Sequence, residues 1–158
     1  MLVFYLIAIG IPISLYALLP KVLGYLSGQR HITSRVPLVA AGVLYFISWF
    51  LPSPLINGQD TSFMTHFVGG GLFTGFLWLY TKNYLNWQPK HKILEIITLF
   101  ATVSALGALN ELFELILVEF NLADVLISDT NWDILANSLG ALAFYAGYVV
   151  FTRTKPKK

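Results

Sequence analysis

Five long runs of apolar residues follow one another along the chain, at about residues 1–19, 36–52, 62–81, 93–118 and 131–152. A helix that crosses the roughly 30 Å hydrocarbon core of a bilayer needs about 20 mostly apolar residues. Each run is near or above that length, and prolines and polar residues gather between the runs. We therefore predict an all-α fold, a polytopic membrane helical bundle of five transmembrane helices that forms a single domain over residues 1–158.

The ten lysine and arginine residues all lie on one side of these runs. Three follow the first run, three follow the third and four follow the fifth: Lys21, Arg30, Arg35, Lys82, Lys90, Lys92, Arg153, Lys155, Lys157 and Lys158. The connections after the second and fourth runs contain no basic residue. Because cytoplasmic loops of membrane proteins are enriched in Lys and Arg, the pattern predicts an N-terminus outside and a C-terminus in the cytoplasm.

The composition agrees with a membrane location. Hydrophobic residues make up 56% of the chain and charged residues 11%, whereas a soluble domain has about a quarter charged residues. The net charge of +2 comes from the predicted cytoplasmic loops and gives no indication of nucleic-acid binding. The absence of Cys excludes disulfides, thiolate metal sites and cysteine nucleophiles. With no basic residues before the first run, we expect a retained helix there, not a cleaved signal peptide.

Polar and ionisable residues lie at one level of three predicted helices. His66 is in the third run, Glu111 and Glu114 are in the fourth, and Asp133 and Asn137 are in the fifth. At a helical rise of about 1.5 Å per residue, all five lie within about 10 Å of the outer ends of their helices. Ionisable residues inside a membrane are costly and face the bundle interior. We therefore expect these five side chains to face one cavity in the outer leaflet half.

The spacing of these residues supports a shared site, although a simpler interpretation exists. Glu111 and Glu114 are three residues apart and share a helix face, while Asp129, Asp133 and Asn137 repeat at intervals of four. Asp129 alone fits a helix N-cap, so it is a weaker candidate. Without any function, the two glutamates would reach the outer interface from an overlong helix, and the aspartates would complement a helix dipole.

The candidate residues suit two kinds of chemistry. His66, Glu111, Glu114 and Asp133 form a set of histidine and carboxylate ligands that fits a divalent metal ion such as Zn, Mn or Mg. Acid/base chemistry by the paired glutamates, without a metal, is equally open, since two nearby carboxylates in a low dielectric do not both ionise readily.

The third run also carries Gly69, Gly70, Gly71 and Gly75. Small residues at this spacing let another helix approach closely, so we interpret them as a packing groove.

A resemblance to a known family rests on three motifs. A helix that opens with Asp133 continues with Asn137 and Gly140, the segment from Asn110 to Glu114 carries two glutamates, and His66 precedes glycines. This arrangement resembles the VanZ-like membrane proteins of bacteria and the related YjdF-like group. The family has an Asp-x-x-x-His helix, whereas here Ser62 occupies the Asp position and Asp60 lies two residues further upstream, so Asp60 is a weaker candidate. The resemblance implies a multi-pass protein of the bacterial plasma membrane, in a family whose founding member is linked to glycopeptide-antibiotic tolerance.

Three function classes remain open. The first is a small envelope protein that binds or modifies an amphipathic substrate, including a lipid-linked one, at the outer face. The second is a proton- or ion-coupled transporter; against it, we predict no ionisable path through the inner half, where Glu95 is interpreted as a residue that complements the helix dipole. The third is a structural or accessory subunit. Membrane lipid is the partner in all three, and the sequence decides neither enzymatic activity nor oligomeric state.

Overall fold

The computed structural model describes residues 2–28, 32–56, 58–122 and 130–153, and this part of the chain is almost entirely helical. Its α-helices are α1 (Leu2–Ser27), α2 (Val36–Ser48), α3 (Phe63–His66), α4 (Phe73–Tyr84), α5 (Lys92–Glu119) and α6 (Thr130–Arg153). A π-helical segment, Phe67–Leu72, joins α3 to α4, so the chain is helical without a break over residues 63–84. The predicted all-α class is confirmed.

Three helices are long and apolar enough to cross a membrane, judged by length and composition. They are Leu6–Ser27 within α1, the whole of α5 and the whole of α6. The shorter helix α2 is also apolar but has 13 residues. Helix α1 extends well past the predicted end at residue 19, so Lys21 lies on the helix and not in a loop.

A short hairpin precedes α3. Leu55–Ile56 pairs antiparallel with Gln59–Asp60. The amide of Met64 donates a hydrogen bond to Ser53 Oγ at 2.9 Å, which caps one of the free amides in the first turn of α3. Ser53, which precedes the hairpin, thereby stabilises the turn that ends at His66.

Glycines of the π segment let its neighbours approach closely. A Cβ atom at Gly140 of α6 would overlap the carbonyl oxygen of Phe67 and lie 3.0 Å from the Cα of Gly71. On the side facing α2, a Cβ at Gly69 would overlap the hydroxyl of Ser48. The glycine-rich stretch is therefore a packing groove, as the sequence predicts.

Two apolar clusters pack on opposite sides of α4. One joins it to α1 and α2 through Leu23, Leu38, Ala41, Phe73, Leu77, Tyr80 and Tyr84. The other joins it to α5 and α6 through Trp78, Leu99, Val103, Ala141 and Phe144. Many large apolar side chains remain exposed on the outer faces of α1, α2, α5 and α6, which is the surface that lipid would cover.

Candidate metal centre

Three residues from three different helices converge at one end of the bundle. His66 is the last residue of α3, Glu111 lies in the second half of α5, and Asp133 is in the first turn of α6. Each offers one ligand atom, and these three atoms lie within 4.8 Å of one another. The Nε2 atom of His66 is 3.2 Å from Oδ1 of Asp133. Each of the three residues comes from a different helix, so the group forms only when the helices pack together.

The carboxylate of Glu111 is held by one oxygen only. Thr130, the first residue of α6, donates a hydrogen bond from its hydroxyl to Glu111 Oε2 at 2.9 Å. The other oxygen, Oε1, is buried and has no hydrogen-bond partner among the described residues. A buried acceptor that lacks a donor costs about 1–3 kcal/mol. A cation or a proton at this position would remove that cost.

Asn137 lies one turn beyond Asp133 and links the site to the helix packing. Asp133 is 2% exposed and Asn137 is 5% exposed. The Asn137 side chain fits between two glycines: a Cβ at Gly70 would overlap its Oδ1, and one at Gly107 of α5 would lie 3.3 Å from its Nδ2. Its Oδ1 is buried without a hydrogen-bond partner in the described parts of the chain. The residue therefore packs three helices together and adds a second buried acceptor oxygen near the site.

The donor set is suited to a small divalent cation. Two carboxylates beside one imidazole give an excess of negative charge in a buried place, and a bound cation would offset it. Two ligand atoms bound at about 2.1 Å to one ion in tetrahedral geometry are about 3.4 Å apart, so the ligand atoms, now within 4.8 Å of one another, would approach by up to about 1.4 Å to close around an ion. Three protein ligands leave coordination positions open, as in catalytic metal sites.

The other predicted site residues have different surroundings. Oε1 of Glu114 accepts a hydrogen bond from Asn110 Nδ2 at 2.7 Å, and Glu114 is not a member of the converging group. Oδ1 of Asp60 accepts a hydrogen bond from the amide of Ser62 at 2.9 Å in the exposed turn before α3, which is a local structural role. Asp129 lies outside the described residues.

At the opposite end of the bundle lies a buried ion network that the sequence analysis does not predict. Glu95 is 1% exposed, and Lys82 Nζ lies 2.5 Å from its Oε1 while Lys92 Nζ lies 3.2 Å from its Oε2. Lys82 also donates to the hydroxyl of Tyr148 at 2.6 Å, and the Tyr145 hydroxyl donates to Glu95 Oε2 at 3.3 Å. The interpretation of Glu95 as a residue that merely complements the helix dipole is therefore wrong.

The signal for this network is present in the sequence. Lys82 follows the third apolar run directly, and Glu95 lies one turn into the next run. Two helices joined by a short loop run antiparallel, so a base at the end of one and an acid at the start of the next come to the same level. The network lies at one end of the bundle and does not extend across the apolar cluster of α4, α5 and α6, so the prediction that no ionisable path crosses the inner half stays a prediction.

In its described residues the protein is therefore a bundle of apolar helices with ionisable side chains buried at both ends, and three of these helices are long and apolar enough to cross a membrane. In comparisons with protein-family models, with curated proteins and with solved structures, nothing matches this chain. Its resemblance to the VanZ-like proteins stays a prediction.

Proposed function

We propose that this chain is a five-span protein of the bacterial plasma membrane, with its N-terminus outside and its C-terminus in the cytoplasm. The placement of all ten basic residues supports the orientation. The helical residues 63–84 rise about 33 Å, enough for a further span beside α1, α5 and α6. Helix α2 rises about 20 Å, and a span this short is accommodated by local thinning of the bilayer or by flanking residues. The bacterial assignment rests on the resemblance to VanZ-like proteins.

Within that fold, we propose that His66, Glu111 and Asp133 bind a divalent cation and through it the head group of an amphipathic, lipid-linked substrate. The observation that carries the proposal is the convergence of their three ligand atoms within 4.8 Å. The imidazole and carboxylate donors suit Zn, Mn or Mg. An ion held by three residues can bind a phosphate oxygen or lower the pKa of a bound water in its open positions. Hydrolysis or transfer at the head group would follow from that chemistry.

The position of the site suits such a substrate. In the proposed orientation the group lies within about 10 Å of the outer ends of the helices, where a lipid head group resides. Glu111 is partly exposed, and Asn110 and Glu114 are the next polar residues on the same helix. A head group would reach the cation along this side of α5 while its chains stay in lipid.

Metal titration of the purified protein tests the proposal. After treatment with a chelator, the protein in detergent is titrated with Zn, Mn and Mg salts by calorimetry. We expect one bound ion per chain, and we expect Glu111→Gln, which keeps the shape and removes a charged ligand, to weaken binding by at least about tenfold. Glu114→Gln is the matched control, because that glutamate lies on the same helix but outside the converging group.

Two results would contradict a metal site. One is wild-type affinity in the Glu111→Gln protein. The other is the absence of any ion bound more tightly than millimolar in a protein that unfolds cooperatively. Either result would favour the accessory-subunit alternative, in which the polar group only joins the helices.

A transporter is the second candidate, since α5 carries the buried Glu95 near one end and the half-buried Glu111 near the other. Glu95 and Glu111 are separated by about 24 Å along the helix. Between them lies the apolar cluster that includes Leu99, Val103 and Phe144. Among the described residues, that layer contains hydroxyl groups such as those of Thr98 and Thr102 but no acidic or basic side chain. The geometry therefore favours a binding site at the outer end over a charge relay across the bundle.

A further inference from the structure

A second polar pocket lies at the inner end of the bundle, near the ends of α4 and α6 and the start of α5. It has a volume of about 400 Å³, and its wall includes Lys82, Asn83, Asn86, Lys92, Glu95 and Tyr148. The apolar cluster of α4, α5 and α6 separates it from the candidate metal centre. Neither the metal nor its substrate explains this pocket.

The pocket carries an excess of positive charge. Two ammonium groups, those of Lys82 and Lys92, face a single carboxylate, that of Glu95. Lys82 is fixed in place, because it bonds to Glu95 and Tyr148 and lies 5.3 Å from the ring centre of Trp78. An ammonium has three donors, and the described residues accept two of those of Lys82. The Lys82 ammonium is therefore held in place and can still donate one hydrogen bond to a ligand in the pocket.

Lys92 is placed to reach a ligand. Its side chain is 72% exposed, and its contacts with the two oxygens of Glu95 are long, at 3.2 and 3.3 Å. Lys92 also begins α5, and the preceding residue, His91, makes no side-chain cap hydrogen bond to the free amides there. Free amides at a helix start attract anions. An exposed ammonium, the helix start and the amide side chains of Asn83 and Asn86 thus surround one space.

We propose that this pocket binds the phosphate of an anionic phospholipid in the cytoplasmic leaflet. Basic pockets between transmembrane helices on the cytoplasmic side are suited to such head groups. Trp87 lies in the wall of the pocket and packs edge-on against Trp78 at 6.5 Å, an aromatic pair typical of the interface. Near the start of α5, Ile93 and Ile97 are exposed apolar side chains, and they offer a surface for acyl chains. The inference depends on the proposed membrane location but not on the metal site.

Lipid binding to the full chain in detergent, followed by native mass spectrometry, tests the assignment. The probes are phosphatidylglycerol and, as the lipid without net charge, phosphatidylcholine. We expect phosphatidylglycerol to bind more tightly. We expect Lys92→Gln to weaken that binding about fivefold, the effect of one lysine near an anionic surface. The matched control is Lys90→Gln, which removes an exposed lysine two residues away that does not line the pocket and should change binding less than about twofold.

Three outcomes would overturn the assignment. Equal losses in the Lys92 and Lys90 variants would indicate attraction by surface charge in general. Unchanged binding in Lys92→Gln would remove the pocket from lipid recognition. Displacement of phosphatidylglycerol by millimolar inorganic phosphate would show that the site takes a free anion and not a lipid. None of these results bears on metal binding, which is measured separately by metal titration of the same purified protein.

Discussion

Two glutamates of α5, the buried Glu95 and the half-buried Glu111, differ in how their charges are compensated. Glu95 has hydrogen-bond partners on both oxygens, supplied by lysines and a tyrosine. Glu111 has Thr130 on one oxygen and no partner among the described residues on the other. A fully paired buried charge joins helices together, whereas a half-paired one is a place where a ligand would be stabilised. We therefore assign Glu95 to structure and Glu111 to binding.

Substitution of Glu95 by Gln tests the structural assignment. The change leaves the ammonium of Lys82 buried without its counter-charge, and breaking a buried pair costs about 3–5 kcal/mol. We expect a loss of that order in the free energy of unfolding in detergent. Lys92→Gln removes only the exposed partner and should cost less than about 1 kcal/mol.

A double variant separates the loss of the pair from general damage. Replacing Lys82 by Met together with Glu95 by Leu removes both charges, and such replacements of a buried pair are often neutral. Most of the stability lost in Glu95→Gln should therefore return. If Glu95→Gln is as stable as Lys92→Gln, the network is not what joins α4, α5 and α6.

At the scale of elements, the apolar runs predict where the helices lie but not how each is turned about its axis. Three residues along an α-helix amount to about 300°, so Glu111 and Glu114 point about 60° apart. A depth estimate counts only the rise along the axis and leaves this rotation free. That is why the four predicted metal ligands become three. Glu111 accepts a hydrogen bond from Thr130 of α6, whereas Glu114 accepts one from Asn110 of its own helix.

Sequence patterns also do not predict the π segment or the hairpin. Phe67–Leu72 changes its hydrogen-bond register within an apolar run whose composition suits an ordinary α-helix. Ser53 caps α3 from eleven residues away, a contact that requires the fold of the intervening loop. Packing glycines and helix positions, by contrast, depend on local residue types and can be predicted from sequence.

Two glycines of α6 provide a matched test of the packing against the π segment. A Cβ at Gly140 would overlap the carbonyl oxygen of Phe67, whereas one at Gly147 would meet nothing within 4 Å. Overpacking of this kind costs about 1–3 kcal/mol, so Gly140→Ala should unfold at lower temperature. Gly147→Ala should be neutral or slightly stabilising, because Ala favours a helix over Gly by about 1 kcal/mol. Equal melting temperatures for the two variants would show that α6 and the π segment are not in close contact.

For the whole molecule, the two ends of the bundle differ in chemistry. One end holds carboxylates and an imidazole with buried acceptor oxygens, and the other holds lysines around a single acid. The proposed orientation puts the lysine end beside the cytoplasmic leaflet, whose anionic lipids attract bases. It puts the carboxylate end at the outer face. Both proposed ligands thus depend on one topology.

That topology predicts the outcome of reporter fusions. A reporter that is active only in the cytoplasm should be active when fused after Lys158 and inactive when inserted at Gly58, because the connections at these positions differ in basic residues. A reporter active only outside should show the reverse at both positions. Gly58 is suited to an insertion, since it lies at the tip of the short hairpin in an exposed loop. Activity of one reporter at both positions would mean an even number of spans between them. The five-span arrangement, which separates these positions by three spans, would then fail, and the opposite locations of the metal and lipid sites would fail with it.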